Sequence, residues 1–353
     1  MKKRFLGVLL SVAMVAAVLA GCGSSSAKET AAPAGSETEA ASEAASGETE
    51  AAGNTGDVIT VGFSQVGAES DWRTANSESM KSTFSTENGY NLIFDDAQQK
   101  QENQIAAIRN FIQQEVDYIV LAPVTESGWD TVLQEAKDAE IPVIIVDRMV
   151  DVSDDSLYTA WVGSNFKLEG QKACEWLKQY AAAKNMSEVN IVDIQGTIGA
   201  SAQIGRTEAL NEAVQANGWN LLAQQTGEFT QAKGQEVMES MLKQYDNINV
   251  VYCENDNEAF GAIEAIKAAG KTVGPDGDIL VMSFDTTKQG ITDTLSGDII
   301  VNTECNPLHG PRVEQIIKQL QAGETPEKQA YVEEGIYAHG SDVASVSIDG
   351  TEL

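Results

Sequence analysis

An aspartate and an arginine stand side by side at the end of an apolar run, as Asp147 and Arg148 in IPVIIVDR (141–148). An ionised carboxylate accepts hydrogen bonds, and a guanidinium donates a planar fork of them. The pair can therefore bind an uncharged ligand rich in hydroxyl groups, and a sugar fits that description. The alternative is that Asp147 caps the following turn and Arg148 is a solvated surface residue. Both interpretations stay open at this point.

The apolar run before this pair has the pattern of a parallel strand that is covered on both faces. In such sheets ligands bind beyond the carboxyl ends of the strands, which is where the pair would stand. Similar strand-like runs occupy residues 58–64, 91–97, 118–124, 158–164, 189–196, 250–255, 279–285 and 299–304.

Amphipathic stretches of helical length separate most of these runs, among them 104–113, 168–180 and 257–268. Alternation of strand and helix predicts parallel sheets with right-handed crossovers. Nine strands between Asp57 and Leu353 predict an α/β protein with two doubly wound parallel-sheet lobes, because one lobe would be too large.

Polar and aromatic side chains recur at the ends of several predicted strands. Any one of them could be a helix cap or a surface charge, and for Asn255 and Asp285 singly the cap is favoured. Their recurrence at equivalent strand ends instead predicts a shared cleft. The residues concerned are Glu69, Ser70, Asp71, Trp72 and Arg73 in the first loop, and later Arg206, Glu254, Asn255, Asp256, Asp285 and Glu304.

The first 22 residues, MKKRFLGVLLSVAMVAAVLAGC, combine a basic start, an apolar stretch and small residues, as secretion signals do. The final LAGC resembles the bacterial lipobox, which implies a lipid on Cys22; an ordinary signal peptide with a chance cysteine is the alternative. Residues 23–56 are small, polar and acidic, so they predict a disordered tether. We expect an exported protein that is anchored to the outer face of the cytoplasmic membrane only through this lipid.

The formal net charge of −30 argues against nucleic acid or an anionic membrane surface as a partner. Besides Cys22, the three cysteines Cys174, Cys253 and Cys305 have no CxxC spacing, so neither a metal site nor another cofactor is expected. We expect them to be buried as small apolar residues, with a disulfide between Cys253 and Cys305 as the alternative. No GxxxxGK[ST] motif is present, so we expect no ATP site in this chain.

From about Val58 to Tyr337 the chain resembles the periplasmic sugar-binding proteins of the ribose-binding type, and among them most closely the galactofuranose-binding proteins of carbohydrate importers. The stretches that carry this resemblance are VGFSQVGAESDWR (61–73), DAQQKQENQIAAIRNFIQQEVDYIVLAPV (96–124), EAKDAEIPVIIVDR (135–148), QGTIGASAQIGR (195–206), KGQEVMESML (233–242), ENDNEAFGAIEAIKAAG (254–270) and SFDTTKQGI (283–291). Repressors that share this fold carry a helix-turn-helix before the first strand, whereas here a signal peptide occupies that place.

The resemblance implies two lobes that close on a sugar and are joined by chain crossings near Gly163, Cys305 and Val332. It places the first lobe at residues 57–163 plus 306–332 and the second at 164–305 plus 333–353. It also implies a monomer that delivers its ligand to the permease of an ATP-driven importer and its ATPase.

The same resemblance implies a set of sugar contacts. Trp72 and Phe229 would cover the two faces of a sugar ring from opposite lobes, because the C–H groups of a sugar are apolar. The polar contacts implied are Glu69, Ser70, Asp71, Arg73, Asp147, Arg148, Arg206, Asn255, Asp285 and Glu304. Each buried group left without a partner costs about 1–3 kcal/mol, so these groups would reject a ligand that lacks a hydroxyl.

Three other interpretations were weighed. In an exported glycosidase, Asp147 and Asp285 could serve as acid and nucleophile, but neighbouring cations or amides are expected to keep both ionised. A sensor for a histidine kinase or chemoreceptor would have the same pocket and a different partner. A calcium site at 151–155 or 276–278 lacks the alternating ligand spacing of a calcium loop.

Overall fold

The computed structural model describes residues 58–340, 347–348 and 351–352. The predicted signal peptide, the tether and Cys22 lie outside the described residues. Within those ranges, no helix is both long and apolar enough to cross a membrane.

The described chain alternates strands and helices. The strands are β1 Ile59–Gln65, β2 Tyr90–Asp96, β3 Tyr118–Leu121, β4 Val143–Val146, β5 Ala160–Gly163, β6 Asn190–Gln195, β7 Asn220–Thr226, β8 Val250–Cys253, β9 Leu280–Asp285, β10 Val301–Glu304, β11 Gln329–Tyr331, β12 Ile336–Ala338, β13 Ser347–Ile348 and β14 Thr351–Glu352. The α-helices are α1 Asp71–Thr83, α2 Gln101–Gln113, α3 Asp130–Asp138, α4 Phe166–Ala183, α5 Ser201–Asn217, α6 Gln231–Gln244, α7 Asp256–Ala268, α8 Lys288–Ser296 and α9 Gly310–Gln321.

The first sheet has the strand order β11-β5-β4-β3-β1-β2, and all of its neighbours are parallel. Its strands are apolar on both faces because helices cover both. Val120 and Ile144 pack on one side with residues of α1 and α9. Ile119 and Ile145 pack on the other side with residues of α2 and α3. Burying each such side chain stabilises the lobe by about 1.5–3 kcal/mol.

The second sheet has the order β12-β10-β9-β8-β6-β7. Its strands are parallel except β12, which pairs antiparallel with β10. Residues of α4 and α5 pack on one face and residues of α6 and α7 on the other. The α/β class with two doubly wound lobes is confirmed, with an antiparallel edge strand added to the second sheet.

The chain passes between the sheets three times. β5 of the first sheet is followed by α4 of the second lobe, and β10 of the second sheet is followed by α9 of the first lobe. Finally, β11 joins the first sheet and β12 joins the second. The stretches near 163, 305 and 332 thus connect the two sheets.

Five strands of the described chain were not predicted from the sequence: β7, β11, β12, β13 and β14, of which the last two have only two residues each. β7 (NLLAQQT) is an edge strand whose side chains are mostly half-buried, so its apolar and polar residues do not follow a buried pattern. β11 and β12 have three residues each, too few for any periodicity to be visible. Cys174, Cys253 and Cys305 are buried and unbonded to one another, so the alternative of a disulfide was wrong.

Candidate functional site

A cavity lies between the lobes, at the carboxyl ends of strands from both sheets. Its walls combine aromatic rings with charged groups. The lining residues are Glu69, Ser70, Trp72, Arg73, Asp147, Arg148, Phe166, Ala202, Arg206, Phe229, Asn255, Asp285 and Cys305.

The first-lobe half of the cavity is built on the start of α1. The Ser70 hydroxyl caps this helix by accepting from the Arg73 backbone N–H at 3.1 Å. Arg73 Nε donates to Glu69 Oε1 at 3.0 Å, and its Nη2 lies 2.7 Å from Asp147 Oδ2. The Arg73 guanidinium therefore contacts two carboxylates, those of Glu69 and Asp147. The helix cap at Ser70 and the end of β4 fix these groups in place.

Arg148 completes this half. Its Nη1 donates to the Val124 carbonyl at 3.1 Å, and its Nη2 reaches Glu69 Oε1 at 3.4 Å. Two arginines and two acids, all with buried side chains, thus form one balanced group. A carboxylate oxygen of this group, Glu69 Oε2, is buried and has no hydrogen-bond partner within the described chain, so it can accept from a ligand hydroxyl.

Arg73, Asp147 and Arg148 stay ionised near neutral pH. Burial opposes ionisation of Asp147, but Arg73 and Arg148 outweigh it and hold its pKa below the ordinary range. Burial and the neighbouring Arg73 lower the pKa of Arg148 to about 10, which still leaves it protonated near neutral pH. This half therefore presents fixed donors and acceptors.

The second-lobe half is centred on one cation. Arg206 lies with its Nε and Nη2 each 2.8 Å from Glu169 Oε2, and its Nη2 lies 3.6 Å from Asp285 Oδ1. Its Nη1 donates to the backbone carbonyl of Glu254. Burial raises the pKa values of Glu169 and Asp285, and Arg206 only partly offsets this.

Aromatic rings line the apolar part of the cavity. Trp72, Phe166 and Phe229 are buried together with Ala200, Ala202 and Cys305. Trp72 Nε1 donates to the Cys305 carbonyl at 2.6 Å, so its polar atom is satisfied and its ring faces apolar neighbours.

The position of Phe229 depends on a glycine and on two polar groups. A Cβ at Gly196 would lie 1.9 Å from Phe229 Cζ, so the ring packs where only glycine leaves room. The Phe229 N–H donates to Glu258 Oε1 at 2.9 Å, and Asn255 Nδ2 donates to the Phe229 carbonyl at 3.1 Å. The Phe229 ring lies 5.0 Å from the Arg148 guanidinium, across the cleft.

Three residues of metal-ligating types lie together in the described chain, next to the cavity: Glu169, Cys305 and Glu334, with donor atoms within 4.8 Å of one another. The Arg206 guanidinium is bonded to Glu169 at 2.8 Å and would repel a metal ion. The arrangement therefore suits carboxyl groups that share protons better than it suits a metal.

Glu334 also ties the three chain crossings together. Its Oε1 accepts from the Ser164 hydroxyl at 2.7 Å, in the first crossing, and from the Asn306 N–H at 2.7 Å, in the second. Burial and the neighbouring Glu169 raise the pKa of Glu334 to about 9, so it is protonated at neutral pH.

A family model described as a periplasmic binding protein domain matches residues 61–303, which is more than half of the chain. The galactofuranose-binding protein YtfQ of Escherichia coli is 42% identical over 284 residues, which cover 79% of this chain and 87% of that protein. The chain belongs to the periplasmic binding protein family. Members of this family bind and do not catalyse, so the glycosidase interpretation is excluded.

Solved structures are similar over the same part of this periplasmic binding protein. A Mycobacterium smegmatis protein in complex with β-D-fucofuranose is 43% identical, with a TM-score of 0.77 and coverage of 80% of this chain and 92% of that chain. The binding component of the arabinose ABC transporter from Shewanella sp. ANA-3, bound to α- and β-L-arabinofuranose, is 42% identical, with a TM-score of 0.74 and coverage of 79% and 92%.

The structure brings most of the predicted site residues of this periplasmic binding protein to one cavity and leaves two outside it. Asp71 is exposed, and only its backbone N–H is engaged, at 3.0 Å from Asn257 Oδ1. Glu304 Oε2 accepts from the Gly335 N–H at 3.0 Å, in the crossings. The residues inside are Glu69, Ser70, Trp72, Arg73, Asp147, Arg148, Arg206, Phe229, Asn255 and Asp285.

One chemical expectation about the site was wrong. Asp285 was expected to stay ionised beside a cation, but burial raises its pKa more than Arg206 lowers it at 3.6 Å. Asn255, in contrast, fulfils both of its interpretations. Its Oδ1 caps α7 by accepting from the Glu258 N–H at 2.8 Å, while the residue also lines the cavity.

Sequence reasoning missed three lining residues, Phe166, Ala202 and Cys305. Phe166 opens α4 directly after a crossing, much as Trp72 opens the helix after β1, and this parallel could have revealed it. Ala202 and Cys305 have no chemistry that a sequence pattern could show.

Proposed function

We propose that this protein captures one monosaccharide between its lobes and delivers it to the permease of an ABC importer. The observation that carries this proposal is the pairing of buried charged groups and aromatic rings around one small cavity. Sugars have apolar C–H faces and hydroxyl edges, so they need both kinds of surface. The lining of the cavity comes from both lobes and supplies both kinds of surface to one small ligand.

The ligand we propose has a five-membered ring, with galactofuranose or a related furanose first. The support comes from relatives that are 42–43% identical, whose names or bound ligands are galactofuranose, fucofuranose and arabinofuranose. We place the contacts on the predicted residues that line the cavity and add Phe166 to them. Asp71 and Glu304 lie outside the cavity, so we no longer place a sugar contact on either.

Delivery would use lobe closure. A sugar that contacts both lobes stabilises the closed form only by the contacts that it lacks in the open form, and a permease can recognise that form. We propose a monomer with lobes at 57–163 plus 306–332 and at 164–305 plus 333–353. The partners are the permease and its ATPase.

The proposed anchor is a lipid on Cys22, which would hold the protein at the outer face of the cytoplasmic membrane with residues 23–56 as a tether. The support is the sequence of residues 1–22 alone. Replacement of Cys22 by Ala should move the protein from the membrane fraction to the medium or periplasm, measured by fractionation of expressing cells. Retention of the variant in the membrane would contradict the anchor.

Thermal unfolding of the protein against a panel of sugars tests the proposed binding. A sugar at about a thousand times its Kd should stabilise the fold by about 4 kcal/mol. D-galactose, L-arabinose and D-fucose form the panel, after any sugar carried over from expression has been removed by unfolding and dialysis. Absence of stabilisation by every member would contradict the proposal.

Ring size can be tested separately with a matched pair of sugar alcohol anhydrides. 1,4-Anhydro-D-galactitol has a five-membered ring, 1,5-anhydro-D-galactitol has a six-membered ring, and neither can change its ring. Both lack the anomeric hydroxyl and should bind more weakly than a complete sugar, and we expect calorimetry to show at least tenfold higher affinity for the first than for the second. Stronger binding of the six-membered ring would overturn the furanose assignment and leave sugar binding itself intact.

A further inference from the structure

Three hydrogen bonds in the described part of the chain join the two lobes away from the crossings and outside the cavity lining. The Asp71 N–H donates to Asn257 Oδ1 at 3.0 Å, and the Met149 N–H donates to Ser201 Oγ at 2.9 Å. The third bond connects the Glu126 N–H to the Gly199 carbonyl at 2.9 Å. None of the six residues lines the cavity.

These bonds share one polarity. In each, the first lobe supplies a backbone N–H and the second lobe supplies an oxygen. The two side-chain acceptors stand at the beginnings of helices, Ser201 as the first residue of α5 and Asn257 as the second residue of α7. Both acceptors are only 8% exposed, while Asp71 is exposed, so the bonds are partly shielded from water. If an acceptor is removed, its donor is left partly shielded without a partner in the closed form, whereas water can reach that donor in the open form, so each bond favours the closed form.

We propose that Ser201 and Asn257 form a latch that sets sugar affinity by stabilising the closed form, although neither residue contacts the sugar. The closed form then gains free energy from two independent sources, the sugar contacts and the latch. Weakening the latch lowers the fraction of molecules in the closed form, and the apparent affinity falls by the same factor.

The latch also predicts a kinetic signature. Because its bonds form only when the lobes meet, they are absent from the open form that admits the sugar. Loss of the latch should therefore speed sugar release and leave the association rate nearly unchanged. A residue that merely supported the fold would lower thermal stability instead of changing the release rate.

Ser201→Ala and Asn257→Ala test this proposal in the full protein. Each should weaken D-galactose binding about three- to tenfold, the range expected for one lost hydrogen bond, and the double variant should weaken it further. Ser201→Thr and Asn257→Asp keep an oxygen acceptor at each position and should recover most of the affinity. An unchanged Kd and release rate in the double variant would overturn the proposal.

The latch proposal rests on the proposed sugar binding, but a measurement without sugar tests the latch independently of the ligand. Fluorescent dyes on Glu102→Cys in α2 and Glu236→Cys in α6, both exposed, report the distance between the lobes by single-molecule energy transfer. The sugar-free double variant should visit the closed distance less often than the parent protein. An identical distribution would overturn the latch whether or not any sugar binds, whereas failure of sugar binding with a shifted distribution would overturn only the proposed ligand.

Discussion

The two halves of the cavity solve the problem of buried charge in opposite ways. In the first lobe, Arg73 and Arg148 balance Glu69 and Asp147, and the pKa of Asp147 is lowered. In the second lobe, Arg206 is the one cation among the lining residues and faces several acids, and burial raises their pKa values. Buried charge is tolerated only when it is paired, and one cation shared by several acids does not offset the burial of each.

This difference gives the halves different tasks. In the first-lobe half, Asp147 and the two arginines keep their charges near neutral pH and can recognise hydroxyl groups there. In the second-lobe half, the raised pKa values mean that Glu169 and Asp285 bind protons at a higher pH than ordinary carboxylates do. The acid excess continues into the crossings, where Glu334 has a pKa of about 9.

The largest effect should come from breaking the balanced half. Arg148→Ala removes a donor to Val124 and leaves Glu69 with Arg73 as its remaining cation in the group. Truncating one partner of a buried, hydrogen-bonded charge pair at a binding site costs about 2–5 kcal/mol of binding free energy, which corresponds to a loss of sugar affinity of about thirtyfold or more. We expect calorimetry to show no binding, while circular dichroism shows a folded protein because Arg73 still neutralises Asp147.

Arg109→Ala is the matched control, because Arg109 makes an exposed ion pair with Glu135 on the first-lobe surface. Its sugar affinity should equal that of the parent protein. Retained affinity in Arg148→Ala would show that the balanced group supports the fold and does not recognise the ligand.

The next largest loss of sugar affinity should come from displacing the Phe229 ring, which lines the second-lobe half of the cavity. Gly196→Ala puts a methyl group 1.9 Å from the Phe229 ring and must displace it. We expect a tenfold to hundredfold loss of sugar affinity by titration calorimetry, since we propose that the ring covers one face of the sugar. Phe229→Ala should lose a similar amount, and the double variant should lose no more than either single one. Additive losses would show that Gly196 acts independently of Phe229.

The last comparison concerns a different quantity, the dependence of the free energy of unfolding on pH. Glu334 has its pKa raised from about 4.5 to about 9 in the folded protein, so its contribution is complete below the unfolded value. It is lost as the pH rises through the folded value. Glu334→Gln should therefore flatten the fall in urea-unfolding free energy between about pH 5 and pH 9.

Asp147→Asn should act on the opposite side of neutrality. Its lowered pKa means that Asp147 stabilises the fold above its ordinary pKa and that this contribution is lost as the pH falls below it. The variant should be less stable at neutral pH and lose less stability between about pH 5 and pH 2. If the unfolding free energy of both variants changed with pH as it does in the parent protein, the two halves would not differ in how they tolerate buried charge.

The residues at the strand ends show which parts of the site could be predicted from the sequence. Asp147, Arg148 and Asn255 were found because strand ends of a parallel sheet meet along one edge, a consequence of connectivity alone. Arg206 was predicted on the same ground, but it lies within helix α5 and not at a strand end. The edge strand β7 was missed because its half-buried side chains mix polar and apolar types. Phe166 was missed because its place in the cavity depends on the approach of α4 to α5, where Gly205 leaves room for it.

The sequence by itself determined the two-lobed α/β fold and most of the charged groups at the cavity, because these follow from hydrophobic periodicity and from local residue types, while its resemblance to known sugar-binding proteins gave the family. Only the tertiary structure decided which charges are paired, which acids have raised pKa values and which groups join the two lobes beside the cavity. Those properties depend on burial and on distances of a few ångströms between residues far apart in the chain. Arg206 and Asp285 illustrate this, since their separation of 3.6 Å is too large to offset the burial that raises the pKa of Asp285.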